Sequence, residues 1–166
     1  HSNPHTVTEV PVDEEAMRGG SIRVRNLLNG NRPELVQSLF QAIMQHIDQD
    51  LDERRAQARA TGRDRWLECE PEFGQIFSWG VIQPMGAYEE WHTHRRGWLS
   101  GVYYVAIPEP FSTEGDGAGC LEFGSPKSLE TGARETMRIA PVEGLLVLMP
   151  SHYHHRTIPF TSTRNR

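Results

Sequence analysis

A chain of 166 residues, 37% hydrophobic and 23% charged, can bury about two-thirds of its unfolded surface in one core, so a single domain over 1–166 is expected. Its formal charge of −5, with both signs interspersed, leaves no basic stripe to gather a nucleic-acid backbone. No apolar run approaches the roughly 20 residues of a bilayer span, so nucleic acid and membrane drop out as partners.

The opening HSNPH lacks an initiator Met and resembles tag remainder, and the final STRNR brings no closing element. From Pro33, the residues Leu35, Leu39, Phe40, Ile43, Met44, Ile47 and Leu51 recur three and four apart. That spacing predicts an amphipathic helix, with Asn31 available as cap. The polar continuation DERRAQARATGRDR loses the stripe and is expected to fray into a loop closed by Gly62. Residues 1–65 then form an N-terminal helical segment packed on a β-rich core over 66–166.

That core is read from IFSWGVIQ, SGVYYVAI, GCLEFG, MRIAP and LLVLMP, short β-rich runs separated by Gly, Pro and charged turns. Such spacing suggests a sandwich or barrel. The polar stretch between Gly124 and Ile139 is expected to be a mobile loop suited to act as a lid. Cys69 and Cys120 are the two cysteines, far apart, which argues against a disulfide framework and for a reducing, cytoplasmic setting.

Five of the eight histidines fall in two clusters, His92 and His94 in WHTH and His152, His154 and His155 in SHYHH. On a strand, residues i and i+2 share a face, so His92 and His94 can offer two nitrogens to one point. The second cluster follows the apolar run LLVLMP and brings a third nitrogen from far along the chain. Imidazole sets of this kind suit iron, zinc, nickel or copper. Glu90 shares the His92 face on a regular strand and is the alternative oxygen ligand. Parity along the same strand directs Tyr104 toward the metal. Trp79, Trp91 and Trp98 read as core or rim aromatics rather than substrate platforms, and Arg95 and Arg96 as a solvated turn or as a pair that draws an acidic substrate.

The spacing Gly86-x5-His92-x-His94, then Gly144-x5-Pro150-x4-His155, resembles the two cupin metal motifs and selects His155 rather than His154. A cupin would carry Glu where Trp98 and Leu99 stand, and Gly where His152 stands. A second resemblance covers about Ser78 to Arg166. HTHRRGWLSGVYYVAIPEP, GAGCLEFGSP and IAPVEGLLVLMPSHYHHRTIP are similar, in serial order, to Fe(II)/2-oxoglutarate oxygenases of the bacterial and phage type. The resemblance implies a double-stranded β-helix of the jelly-roll, cupin-like kind, which with the helix read from the spacing gives a mainly β fold with an N-terminal helix. It implies Fe(II) held by His92 and His155, with His94 where the superfamily carries a carboxylate. It also implies 2-oxoglutarate, its far carboxylate gripped by Arg166, with Arg164 as fallback; Tyr104, placed by parity, either hydrogen-bonds that cosubstrate or packs in the core.

The implied activity is that of a dioxygenase hydroxylating a small molecule or a protein side chain, with a homodimer allowed. Two other classes stay open: a cupin-like metal protein that binds a ligand or acts without oxidation, and a metal-free β-barrel interaction domain.

Overall fold

Pro33, at φ −54° and ψ 137°, sets the start of the one long helix, its carbonyl accepting the Val36 and Gln37 N–H groups at 2.9 and 3.3 Å. The structure, a computed structural model, describes residues 16–25, 27, 33–62, 64–108, 117–124 and 136–160. Asn31, most of the 125–138 loop, Arg164 and Arg166 lie outside the described residues. Helix α1 spans Glu34–Thr61. It therefore continues through the polar stretch expected to fray. The residues there are mostly Glu, Arg, Ala and Gln, strong helix formers, and Arg55 bonds Asp52 one turn back at 2.7 Å. Gly62 ends the helix at φ 107°.

The apolar stripe faces inward only in part, with Leu51 buried and Leu35 82% exposed. Arg55 also forks onto both oxygens of Glu70, and Arg54 stacks over Trp66 at 4.9 Å. Both contacts belong to one compact unit, whose described residues lie between Arg25 and Trp79. The described residues up to Val24 and from Gly80 on belong to a second unit, which contains the three clustered histidines.

The described strands are β1 Met17–Arg18, β2 Ile22–Arg25, β3 Trp79–Ile82, β4 Tyr88–Glu89, β5 Leu99–Tyr103, β6 Leu121–Phe123, β7 Met137–Ile139, β8 Leu146–Pro150 and β9 His155–Thr157. They pair as β1–β4, β2–β3, β5–β8 and β7–β6–β9. The β1–β4, β5–β8, β6–β7 and β6–β9 ladders are antiparallel, and none of these sheets closes on itself among the described residues. The fold is thus strand-rich with one N-terminal helix, as the sequence suggests. β1, β2, β4 and β9 lie outside the runs read as strands from the sequence, β1 and β4 being only two residues long.

Alternation along β6 and β8 builds the core. Leu121, Phe123, Val147 and Met149 are buried together, with Val102, Tyr104, Ile139 and Leu145 packed against them. Burying a side chain of this size contributes about 1.5–3 kcal/mol, so this cluster fixes where β6 and its neighbour β9 lie. No helix is long and apolar enough to cross a membrane among the described residues.

Candidate metal centre

His92 lies outside any ladder, in an isolated antiparallel bridge with His155. The pair exchanges two backbone bonds, His92 N–H to the His155 carbonyl at 3.0 Å and His155 N–H to the His92 carbonyl at 3.1 Å. Two residues on, His94 N–H donates to the Ser151 carbonyl at 2.9 Å, and the chain then turns, Gly97 N–H returning to the His94 carbonyl at 2.9 Å. The continuous strand from His92 to Tyr104 assumed by the parity argument is therefore interrupted at this turn, and β5 begins only at Leu99. Gly97 is needed there because a Cβ would stand 2.5 Å from Ser151 Oγ and 3.1 Å from Ser151 Cβ.

The three histidines converge all the same. The His92, His94 and His155 rings are 4.2 to 5.1 Å apart between centroids. Each offers a ring nitrogen, and these atoms lie within 4.8 Å of one another. Around a shared ion, bonds of about 2.0–2.1 Å to imidazole would draw these three rings closer together.

Tautomers are fixed by carbonyls, which can only accept. His92 Nδ1–H donates to the Glu90 carbonyl at 2.7 Å and His155 Nδ1–H to the Tyr153 carbonyl at 2.9 Å. Each Nε2 lone pair is left for a metal. Burial, reinforced by the neighbouring His92 and Arg23 charges, lowers His94 to about 4. Burial outweighs the Tyr153 hydrogen bond at His155, and with the other histidines lowers it to about 4 as well. Both rings are neutral at pH 7, the form that binds metal.

Glu90, the alternative ligand, turns away. Its carboxylate pairs with Arg18 at 2.7 Å, both side chains being nearly half exposed. In the second cluster His155 is 3% exposed, whereas His152 and His154 face solvent. Arg95 and Arg96 are exposed in the turn, as the sequence suggests.

Tyr104 follows the end of β5, its backbone bonded to Leu145 and Gly144 at 3.1 and 2.9 Å. Its hydroxyl is buried without a hydrogen-bond partner among the described residues. Burial, and then the Cys120 and Glu89 charges, raise it to about 12, so it is a hydrogen-bond donor at neutral pH. It packs on the cluster containing Phe123, whose ring is 6.1 Å from that of His155. An orphaned buried donor in this core fits an oxygen-rich cosubstrate.

One neighbour of the site escaped the sequence reading. Arg23, on β2, has a side chain only 7% exposed, lies 3.8 Å from Glu89 and adds its charge to the field at His94. The alternation of IRVR was its signal, inverted here because Ile22 and Val24 point outward, at 56% and 43% exposure.

Residues 77–166, which include all three histidines, match the family model described as "Putative 2OG-Fe(II) oxygenase". No curated protein and no solved structure matches the chain. Three imidazoles on one face suit the iron this family uses, and Fe(II) and 2-oxoglutarate are the cofactors that membership implies. The match spans 90 of 166 residues, so the chain belongs to this 2OG-Fe(II) oxygenase family.

Proposed function

We propose that the chain is an Fe(II)- and 2-oxoglutarate-dependent dioxygenase that hydroxylates a small molecule or a protein side chain, on a core of the double-stranded β-helix kind. The observation that carries this reading is the convergence of His92, His94 and His155 within the matched segment. His92, His94 and His155 would hold the ion through three nitrogens and would leave its other side open to the cosubstrate. When bound, iron with 2-oxoglutarate supplies the oxidising power to hydroxylate an unactivated C–H bond.

The chain's own residues bind and orient. Tyr104 keeps its proton and donates a hydrogen bond from its hydroxyl to a cosubstrate oxygen. Arg166, or Arg164 in its place, receives the far carboxylate, since a planar guanidinium can bind it through two hydrogen bonds. The apolar side chains of Leu121, Phe123, Val147 and Met149 keep water from that side of the site. The reading involves neither nucleic acid nor membrane, and it places the enzyme in the cytoplasm, with a homodimer allowed.

Anaerobic titration with Fe(II) and then 2-oxoglutarate tests it. The expected result is a visible metal-to-ligand charge-transfer band that appears only when both are present. Iron binding with no band on adding 2-oxoglutarate would shift the protein to the cupin-like, non-oxidative class. No iron binding at all would leave a metal-free β interaction domain.

A further inference from the structure

The sheet carries a second row of side chains, on the face opposite the histidines. In the β6–β9 ladder Phe123 stands beside His155 and Glu122 beside Arg156, and in the β6–β7 ladder Glu122 stands beside Arg138. The bridge between His92 and His155 puts Trp91 opposite Arg156. Because alternate residues point to opposite faces, the strands carry Phe123, His155 and His92 on one side. On the other they carry Arg138, Glu122, Arg156 and Trp91.

The second row is in contact along its length. Arg138 Nε donates to Glu122 Oε1 at 2.8 Å. Arg156 Nε donates to Glu122 Oε2 at 2.6 Å, and its Nη2 reaches the same oxygen at 2.5 Å. The Arg156 guanidinium then lies over the Trp91 ring, 4.9 Å from its centroid. Glu122 is 1% exposed.

Two of the three histidines come from segments far apart in sequence, and only one pair of backbone bonds joins them directly. Arg156 follows His155, and Trp91 precedes His92. One flat guanidinium, anchored by a buried carboxylate on one edge and stacked on an indole on its face, therefore ties the neighbours of both. Lysine would supply the charge without the planar fork.

We propose that Arg156 is a positioning residue for the metal centre, held by Glu122 and acting through Trp91 to fix His92 against His155. This rests on the reading of the three histidines as metal ligands. Arg138 shares the same carboxylate, but its strand β7 carries none of these histidines, so it is the internal control.

The test is Co(II) titration of the full chain, followed by the visible ligand-field spectrum, with thermal unfolding measured alongside. Arg156→Gln and Trp91→Leu should each weaken Co(II) binding by about 10- to 100-fold, the range for outer partners of metal ligands, and should change the spectrum. Arg138→Gln should cost similar stability to Arg156→Gln yet leave Co(II) affinity within about threefold and the spectrum unchanged. Arg156→Lys keeps a cation beside Glu122, so it should fold even if the Gln variant does not, and it should still show weakened binding. Wild-type affinity and spectrum in a folded Arg156 variant would overturn the positioning role, as would equal losses of affinity in the Arg138 and Arg156 variants. Failure of the wild-type chain to take up Co(II) would instead overturn the ligand reading, and this inference with it.

Discussion

At the scale of single residues, the site is a set of imidazoles prepared for metal by burial. His155→Ala and His92→Ala should each abolish Co(II) or Fe(II) binding while far-UV circular dichroism stays that of the wild type. His94→Asp should retain metal, because a carboxylate at that position gives the usual triad of two histidines and an acid. Arg166→Ala should weaken 2-oxoglutarate by about 1.5–3 kcal/mol in calorimetry, the scale of a hydrogen bond to a charged group, with iron affinity nearly unchanged. Arg164→Ala should do much less.

The same burial sets a pH dependence. His94 and His155 are lowered to about 4, against about 6.5 in an unfolded chain. Between these values the unfolded chain binds more protons, so the metal-free protein is most stable above about pH 6.5 and loses stability as pH falls toward 4. Added metal should steepen that loss, since protonation also removes its ligands. Unfolding midpoints measured from pH 7 to pH 4.5, with and without Co(II), check both statements. The histidines were legible because two clusters at fixed spacing survive any error in secondary structure. Their approach was not, since it uses an isolated bridge and a turn where a regular strand was expected.

At the scale of elements, what fixes the site is the register of β6 and β9 and the bridge from β9 to His92. Burial alone would raise the Glu122 carboxyl, but Arg138 and Arg156 outweigh it and hold the group below the usual carboxylate range. A depressed folded pKa means stability present in full above the unfolded value of about 4.3 and lost as pH falls through the folded one. Glu122→Gln should therefore lower stability by about 2–3 kcal/mol at pH 7, and the gap to wild type should narrow below about pH 4, as denaturant midpoints will show. The turn before β5 offers a second test. Ser151 is 1% exposed and its hydroxyl bonds Ser100 Oγ at 2.6 Å, so the Cβ introduced by Gly97→Ala has nowhere to go without moving the segment that bonds His94. A loss of about 1–3 kcal/mol is expected from such overpacking, together with weaker metal binding.

The strands that carry this geometry were readable where β-branched and aromatic residues cluster, as in β5 and β8. The burial of Glu122, between two apolar residues on β6, was not legible, because its partners Arg138 and Arg156 lie 16 and 34 residues away in the chain. No local pattern announces such a pairing. Helix α1 shows the opposite error: its stripe ends where the sequence says, but intrinsic propensity carries the helix on to Thr61.

At the scale of the whole molecule, metal and fold should be separable. The core of Leu121, Phe123, Val147 and Met149 is apolar and separate from the three-histidine set, unlike a zinc finger, whose folding free energy is its metal-binding free energy. Chelation should therefore leave far-UV circular dichroism intact. Metal still binds the native state in preference to the unfolded one, so it adds RT ln(1 + [L]/Kd), about 2.7 kcal/mol at a hundredfold excess over Kd. For a domain of this size that is a rise of about 5–10 °C in Tm. The rise should be absent in His155→Ala and reduced in Arg156→Gln, because one lacks a ligand and the other holds its ligands less firmly. It should be intact in Arg138→Gln. Collapse of the dichroism on chelation would mean that the ion, rather than the strands, assembles this half of the chain, and that the bridge between His92 and His155 forms only around metal.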